Sequence, residues 1–154
     1  MGNDSGKVLV VYSGGLDSTV LLHKLAAQSR VAGAIGFLYG QRHSKELDFA
    51  QKNCNKLNID FYLADISALS PMFGNNSLTD RNVEVPEGRY YESNMKSTVV
   101  PNRNMIMLSL AAARAIAVGA QAVAYAAHSG DHAIYPDCRP EFTEAMERAL
   151  ALCH

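Results

Sequence analysis

Residues 8–19 read VLVVYSGGLDST: a β-branched apolar run, then a serine, two glycines, an acid and two further hydroxyls. Residues 7–12 have the composition of a short buried parallel strand, and Ser13-Gly14-Gly15 ends it in a tight turn. The pattern predicts a helix next, capped by Asp17 or Ser18, with Val20, Leu21 and Leu25 on its apolar face as far as about Gln28. A glycine-rich turn between a first strand and its helix presents backbone N–H groups and the positive helix end to whatever sits above it. The natural guest is a phosphate.

The same strand-then-helix grammar repeats outward from this turn. VAGAIGFLYG at 31–40 reads as a second strand, about 44–57 as a charged amphipathic helix, and IDFYLADI at 59–66 as a third strand. Residues 67–100 lapse into Pro, Gly, Asn and Ser, and a loop of that length inside a compact domain is more often functional than idle. RNMIMLSLAAARAIAVG at 103–119 predicts an Ala-rich helix stopped by Gly119, QAVAYAAH at 121–128 a fourth strand, and RPEFTEAMERALAL at 139–152 a last helix opened by Pro140. Alternating strands and helices imply an α/β fold, a doubly wound parallel sheet with right-handed crossovers. The expectation is one domain over residues 1–154.

Bulk composition narrows the partners. With 154 residues, 48% of them hydrophobic and 19% charged, the chain suits one ordinary globular domain with a core of its own. Lys plus Arg number 14 against 15 Asp plus Glu, so no basic excess is present to neutralise a polyphosphate backbone, and no direct nucleic-acid partner is expected. No apolar run reaches the length of a membrane span, so no membrane partner is expected either. Three cysteines, Cys54, Cys138 and Cys153, with no CxxC spacing, fit a reducing compartment, and the cytoplasm is the expected location. Cys138 before Arg139 reads as a packed thiol rather than a nucleophile, and His23 as a partly buried helix residue rather than a ligand.

Two familiar phosphate loops do not account for residues 13–18. The turn has no Gly-Lys-Ser/Thr ending and no GxGxxG. A tight turn with an N-cap explains the glycines and Asp17 or Ser18, but not the six residues together. SGGLDS resembles the pyrophosphate loop of the N-type ATP pyrophosphatases, which split ATP between its α and β phosphates to adenylate a substrate. Three further stretches, YGQRHSKEL at 39–47, MKSTVVPNRNMI at 95–106 and DHAIYPDCRPEF at 131–142, resemble in order and spacing the signatures of the 7-cyano-7-deazaguanine synthase family.

These stretches also carry chemistry of their own. Gln41, Arg42 and His43 follow the second strand at its C-terminal end, where open α/β sheets bind ligands; three polar side chains that simply face water are the alternative. Arg103 and Asn104 open a helix, where a guanidinium and an amide can hold phosphate or a purine edge; ordinary capping by Asn102 or Asn104 is the alternative. Asp137, beside Arg139, can accept the paired N–H donors of a guanine-like ring, with Asp131 a second candidate and an exposed Asp-Arg pair the alternative.

The resemblance implies an adenine nucleotide alpha hydrolase-like (HUP) domain and an ATP-dependent ligase. It would convert 7-carboxy-7-deazaguanine and ammonia to the nitrile through an adenylate, in the synthesis of queuosine. Tyr12, Ser13, Gly14, Gly15, Leu16, Asp17, Ser18 and Thr19, with Arg103 and Asn104, are then expected to bind ATP and its Mg²⁺, with Ser13, Asp17 and Ser18 taking part in catalysis. Gln41, Arg42, His43, Asp131, Tyr135, Asp137 and Arg139 are expected to bind the deazapurine. The family also implies a homodimer and a four-cysteine zinc site in a segment following YPDCRPEF and its helix. That segment is missing from this sequence, so the expectation is a chain shortened at its C-terminus, with no metal site of its own, the alternative being a chain that has dispensed with the metal. Another ATP pyrophosphatase, such as a tRNA-thiolating or amide-forming enzyme, and a non-catalytic nucleotide-binding module are the competing readings.

Overall fold

The structure, a computed structural model, describes residues 6–39, 45–73, 102–127 and 135–153. Four strands, β1 (Val8–Val11), β2 (Val31–Leu38), β3 (Phe61–Asp65) and β4 (Ala122–Ala124), form one sheet in the order β3-β2-β1-β4. β1 pairs in parallel with both β2 and β4. Ala34 N–H donates to the Asp60 carbonyl and Ile66 N–H to the Leu38 carbonyl, so β3 runs alongside β2 in the same direction. The α/β class with a parallel sheet is as the alternating pattern predicts. β4 is shorter than the 121–128 run suggested, because among its described residues only Ala122–Ala124 ladder with β1.

Among the described residues four helices accompany the strands: α1 (Leu16–Ala27), α2 (Lys45–Lys56), α3 (Arg103–Ala117) and α4 (Pro140–Ala151). A 3₁₀ helix at Ser67–Phe73 occupies the start of the long loop, and another at Pro136–Cys138 leads into α4. Pro140 takes the first turn of α4, where its missing N–H costs nothing. Gly119 has φ 69° just past the end of α3; the Gly119 and Ala120 N–H groups donate to the Ile116 and Ala115 carbonyls, the pair of bonds that closes a helix through a left-handed residue. Ser29 and Asn58 play the same part after α1 and α2, with φ 55° and 54°.

The described residues divide between two compact units. One comprises residues 6–37, 45–64 and 107–126, the other 38–39, 65–73, 102–106, 127 and 135–153. The first holds the sheet's core, in which Val8, Val10, Tyr12, Leu22, Leu25, Ala34, Ala50 and Cys54 are buried together. Leu108, Ala111, Ala112 and Ala115 give α3 a buried apolar face. Arg114 lies over the Tyr62 ring at 4.6 Å, covering an aromatic that β3 leaves half exposed. In the second unit the Pro136–Cys138 turn packs on α4, and Met146 is buried.

Chain order reverses beside β1: the chain winds outward through β2 and β3, then returns to place β4 on the other side. In open parallel sheets that reversal marks where ligands bind, beyond the carboxyl ends of the strands. The turn carrying residues 12–15 leaves β1 at that end.

Candidate active site

The turn after β1 is held by its own hydroxyls. Gly14 sits at φ 88°, and a Cβ there would meet the carbonyl oxygen of Glu46 in the first turn of α2. Glycine is therefore required twice over, for its dihedral and for the close approach of a neighbouring backbone. Gly15 is extended (φ −72°, ψ 167°) and is the N-cap of α1. Its N–H donates to Ser13 Oγ at 3.2 Å, Ser13 Oγ lies 3.1 Å from Ser18 Oγ, and Ser18 Oγ donates to the Gly15 carbonyl at 3.0 Å. Since Ser18 spends its proton on Gly15, Ser13 donates to Ser18, and three bonds close a ring around the turn. Thr19 adds its N–H and its Oγ1 to the same carbonyl, at 3.0 and 2.9 Å.

The expectation that Asp17 or Ser18 caps the helix is corrected by this geometry. Helical backbone begins at Leu16, so both residues lie inside the first turn and no side chain caps α1. Ser18 is buried and bonded inward, whereas Ser13, Leu16 and Asp17 are exposed. Thr19 is the first residue whose N–H is bonded inside the helix, so the amides before it form the positive end of α1. An exposed turn of this kind, lined by N–H groups and closed by a hydroxyl ring, fits the oxygens of a pyrophosphate.

Tyr12 anchors the turn from below. Its side chain is fully buried, its ring meets Phe61 edge-on at 6.4 Å, and its hydroxyl lies 3.1 Å from Thr19 Oγ1. Asn53 of α2 donates to the same phenol at 2.9 Å, and its Nδ2 also lies 3.2 Å from His23 Nε2. His23 is exposed rather than partly buried, because α1 turns that face outward. Nothing in the order of residues 45–57 singles out Asn53; only the packing of α2 against β1 and α1 places it.

A second group lies in the other unit. Asp137 is half-buried, and its Oδ2 accepts the Asn104 backbone N–H at 3.0 Å. Asn104 Nδ2 returns a bond to the Asp137 carbonyl at 3.2 Å and approaches Cys138 Sγ at 3.4 Å. The start of α3 thus has its Asn104 N–H capped by a carboxylate from 33 positions downstream. Asn102 contributes its carbonyl to Ile106 N–H and stands at φ 55°. Arg103 and Tyr135 are half-buried beside these residues in sequence, and Arg139 is the exposed N-cap residue of α4. Asn104 and Asp137, assigned from sequence to different ligands, are in direct contact. Cys138 is buried, as a packed thiol should be. Gln41, Arg42, His43 and Asp131 lie outside the described residues.

Two titrating groups respond to their surroundings. Burial pushes the Cys54 thiol up to about 11, which makes it a poor nucleophile and a core residue. Asp65, at the end of β3, is held below the usual carboxylate range by the Ser67 hydroxyl, 2.6 Å from Oδ1, and then by the Ser67 N–H at 2.9 Å. Among the described residues no three His, Cys, Asp or Glu side chains cluster to hold a metal. No described helix is long and apolar enough to cross a membrane.

A family model described as "Queuosine biosynthesis protein QueC" matches residues 7–154. The chain is 51% identical over 150 residues to a 7-cyano-7-deazaguanine synthase of Psychromonas ingrahamii, covering 97% of this chain and 68% of that protein. It is 52% identical over 148 residues to the synthase of Hahella chejuensis (96% and 64% covered), and 55% identical over 141 residues to that of Pseudoalteromonas translucida (92% and 64%). The chain spans about two thirds of the length of these curated relatives.

Proposed function

Because the chain belongs to the QueC family, we propose that it carries the ATP-activating domain of a 7-cyano-7-deazaguanine synthase. The observation that carries this reading is the turn at residues 13–18. Its left-handed Gly14, its ring of serine bonds and the open amide end of α1 make a rigid cradle for the β- and γ-phosphates of ATP. A cradle already bonded to itself has little reorganisation left to do when the pyrophosphate departs, which is where preorganised donors lower a barrier.

In this reading the carboxylate oxygen of 7-carboxy-7-deazaguanine attacks the α-phosphorus, pyrophosphate leaves, and ammonia displaces AMP to give the amide. A second activation of the amide oxygen and loss of AMP leaves the nitrile. The loop amides and Ser13 would hold the leaving pyrophosphate, and the exposed Asp17 would hold a Mg²⁺, which would supply neutralisation of the phosphate charge. Buried Ser18 acts through the Gly15 carbonyl. Asp137 serves the deazapurine with its carboxylate while its Oδ2 also holds α3, and Asn104, bonded to it, orders that group. Unbridged Cys54, Cys138 and Cys153 suit a reducing cytoplasm, and a balanced charge suits small-molecule rather than nucleic-acid substrates. A homodimer belongs to the same reading.

The test is turnover. Incubated with ATP, Mg²⁺, 7-carboxy-7-deazaguanine and ammonia, a chain with this function releases pyrophosphate and AMP in step with substrate loss, and Asp17→Ala reduces that release at least tenfold. Pyrophosphate release that ignores the deazapurine points to another ATP pyrophosphatase, and nucleotide binding without release to a binding module.

A further inference from the structure

Asn53 belongs to none of the residues that the loop motif or the family signatures pick out, yet it is hydrogen-bonded to the phenol beneath the loop. The direction of each bond can be read from the chemistry of the groups. Asn53 Nδ2 carries only hydrogens, so at 2.9 Å it donates and the Tyr12 oxygen accepts. The Tyr12 proton is then available to Thr19 Oγ1 at 3.1 Å, and Thr19 passes its own proton to the Gly15 carbonyl at 2.9 Å. The second hydrogen of Asn53 Nδ2 faces His23 Nε2 at 3.2 Å, so two acceptors on different elements fix the amide. Every donor in this relay points the same way, from α2 through the buried phenol to the first peptide of α1.

That last peptide matters because the peptide unit is planar and trans. Holding the Gly15 carbonyl toward Thr19 turns the N–H of the same peptide, that of Leu16, the opposite way, out of the helix end. We propose that Asn53 is a positioning residue for the loop: through Tyr12 and Thr19 it sets the orientation of the Gly15–Leu16 peptide, and so the aim of an amide in the phosphate cradle. The consequence for ATP rests on the function proposed above; the relay itself does not.

The test uses Asn53→Leu, which keeps the volume on a half-buried helix position and removes the donor, alongside Tyr12→Phe and the double variant. Amide hydrogen exchange reads the relay without nucleotide. In Asn53→Leu the Thr19 N–H, bonded to the Gly15 carbonyl, is expected to lose about three- to tenfold of its protection, the worth of one hydrogen bond. Ala34 and Ile59, whose amides are bonded at β2 and at the end of α2, should keep theirs. Tyr12→Phe should match this loss, the double variant should add nothing to it, and Asn53→Gln, which restores an amide donor, should recover part of it. ATP affinity by calorimetry should fall by a similar factor. Unchanged Thr19 protection overturns the proposal, as does loss shared equally by Thr19, Ala34 and Ile59, or additive losses in the double variant. Parent protein that shows the exchange pattern but binds no ATP upholds the relay and refutes the ATP reading of the loop.

Discussion

Two glycines in the left-handed region, Gly14 at φ 88° and Gly119 at φ 69°, permit a controlled measurement of what the loop demands. Alanine at Gly119 has no neighbour within 4 Å of its new methyl, so its cost is the dihedral alone. That strain, roughly 1–2 kcal/mol, is partly offset by the roughly 0.4–1 kcal/mol gained from a stiffer unfolded chain. At Gly14 the same terms apply, but the methyl would meet the Glu46 carbonyl oxygen, lie 2.8 Å from its carbon, and touch the Ala50 methyl at 3.4 Å. The first two atoms are helix backbone and have no rotamer to change. Overpacking of that kind adds roughly 1–3 kcal/mol, so Gly14→Ala should destabilise by about 2–4 kcal/mol and Gly119→Ala by about 1 or less. At about 2–4 °C per kcal/mol for a chain of this size, Gly14→Ala should melt roughly 4–16 °C below the parent. Circular dichroism melts of the three proteins give the comparison directly, and ATP binding by Gly14→Ala below its melting point should be weakened as well. Equal melting shifts for the two variants would refute the reasoning, because they would show that α2 does not press on the loop.

Three further substitutions, at two residues, probe groups outside the loop. The Cys54 thiol, raised by burial from 9.0 to about 11, favours the fold while it stays neutral; that contribution is complete below about pH 9 and is lost as the pH rises toward 11. About two units correspond to about 3 kcal/mol at most, so urea midpoints of the parent should fall across this window relative to those of Cys54→Ala, and parallel curves would exclude the thiol as the cause. Asp137→Ala removes the acceptor of the Asn104 N–H and should cost about 1 kcal/mol in thermal unfolding, as loss of a helix cap does. Asp137→Asn can keep that acceptor and so most of the stability, while binding of the deazapurine, read by calorimetry, weakens about 5- to 150-fold; undiminished binding would remove Asp137 from the substrate site.

The elements of this protein were legible locally because their causes are local. A β-branched run ending in glycines makes β1 and its turn, Gly119 stops α3 where a left-handed residue is cheap, and Pro140 opens α4. The loop motif was equally visible, since its glycines and hydroxyls act on one another within six positions. Where a side chain finds its partner far along the chain, local order was silent. The start of α3 offered a ligand-binding pair or a local asparagine cap, and nothing near it in sequence pointed to Asp137, whose carboxylate accepts the Asn104 N–H. The start of α1 offered Asp17 and Ser18 as caps, but the turn closes tightly enough for helical backbone to begin before either. Asn53 looked like one more polar residue on a charged helix until α2 was laid against β1, 41 positions from Tyr12. Propensity and periodicity act between residues a few positions apart, so the sequence carries them openly. A buried phenol needs a donor and a helix end needs an acceptor wherever packing can bring one, and that choice is made only when distant segments share one core.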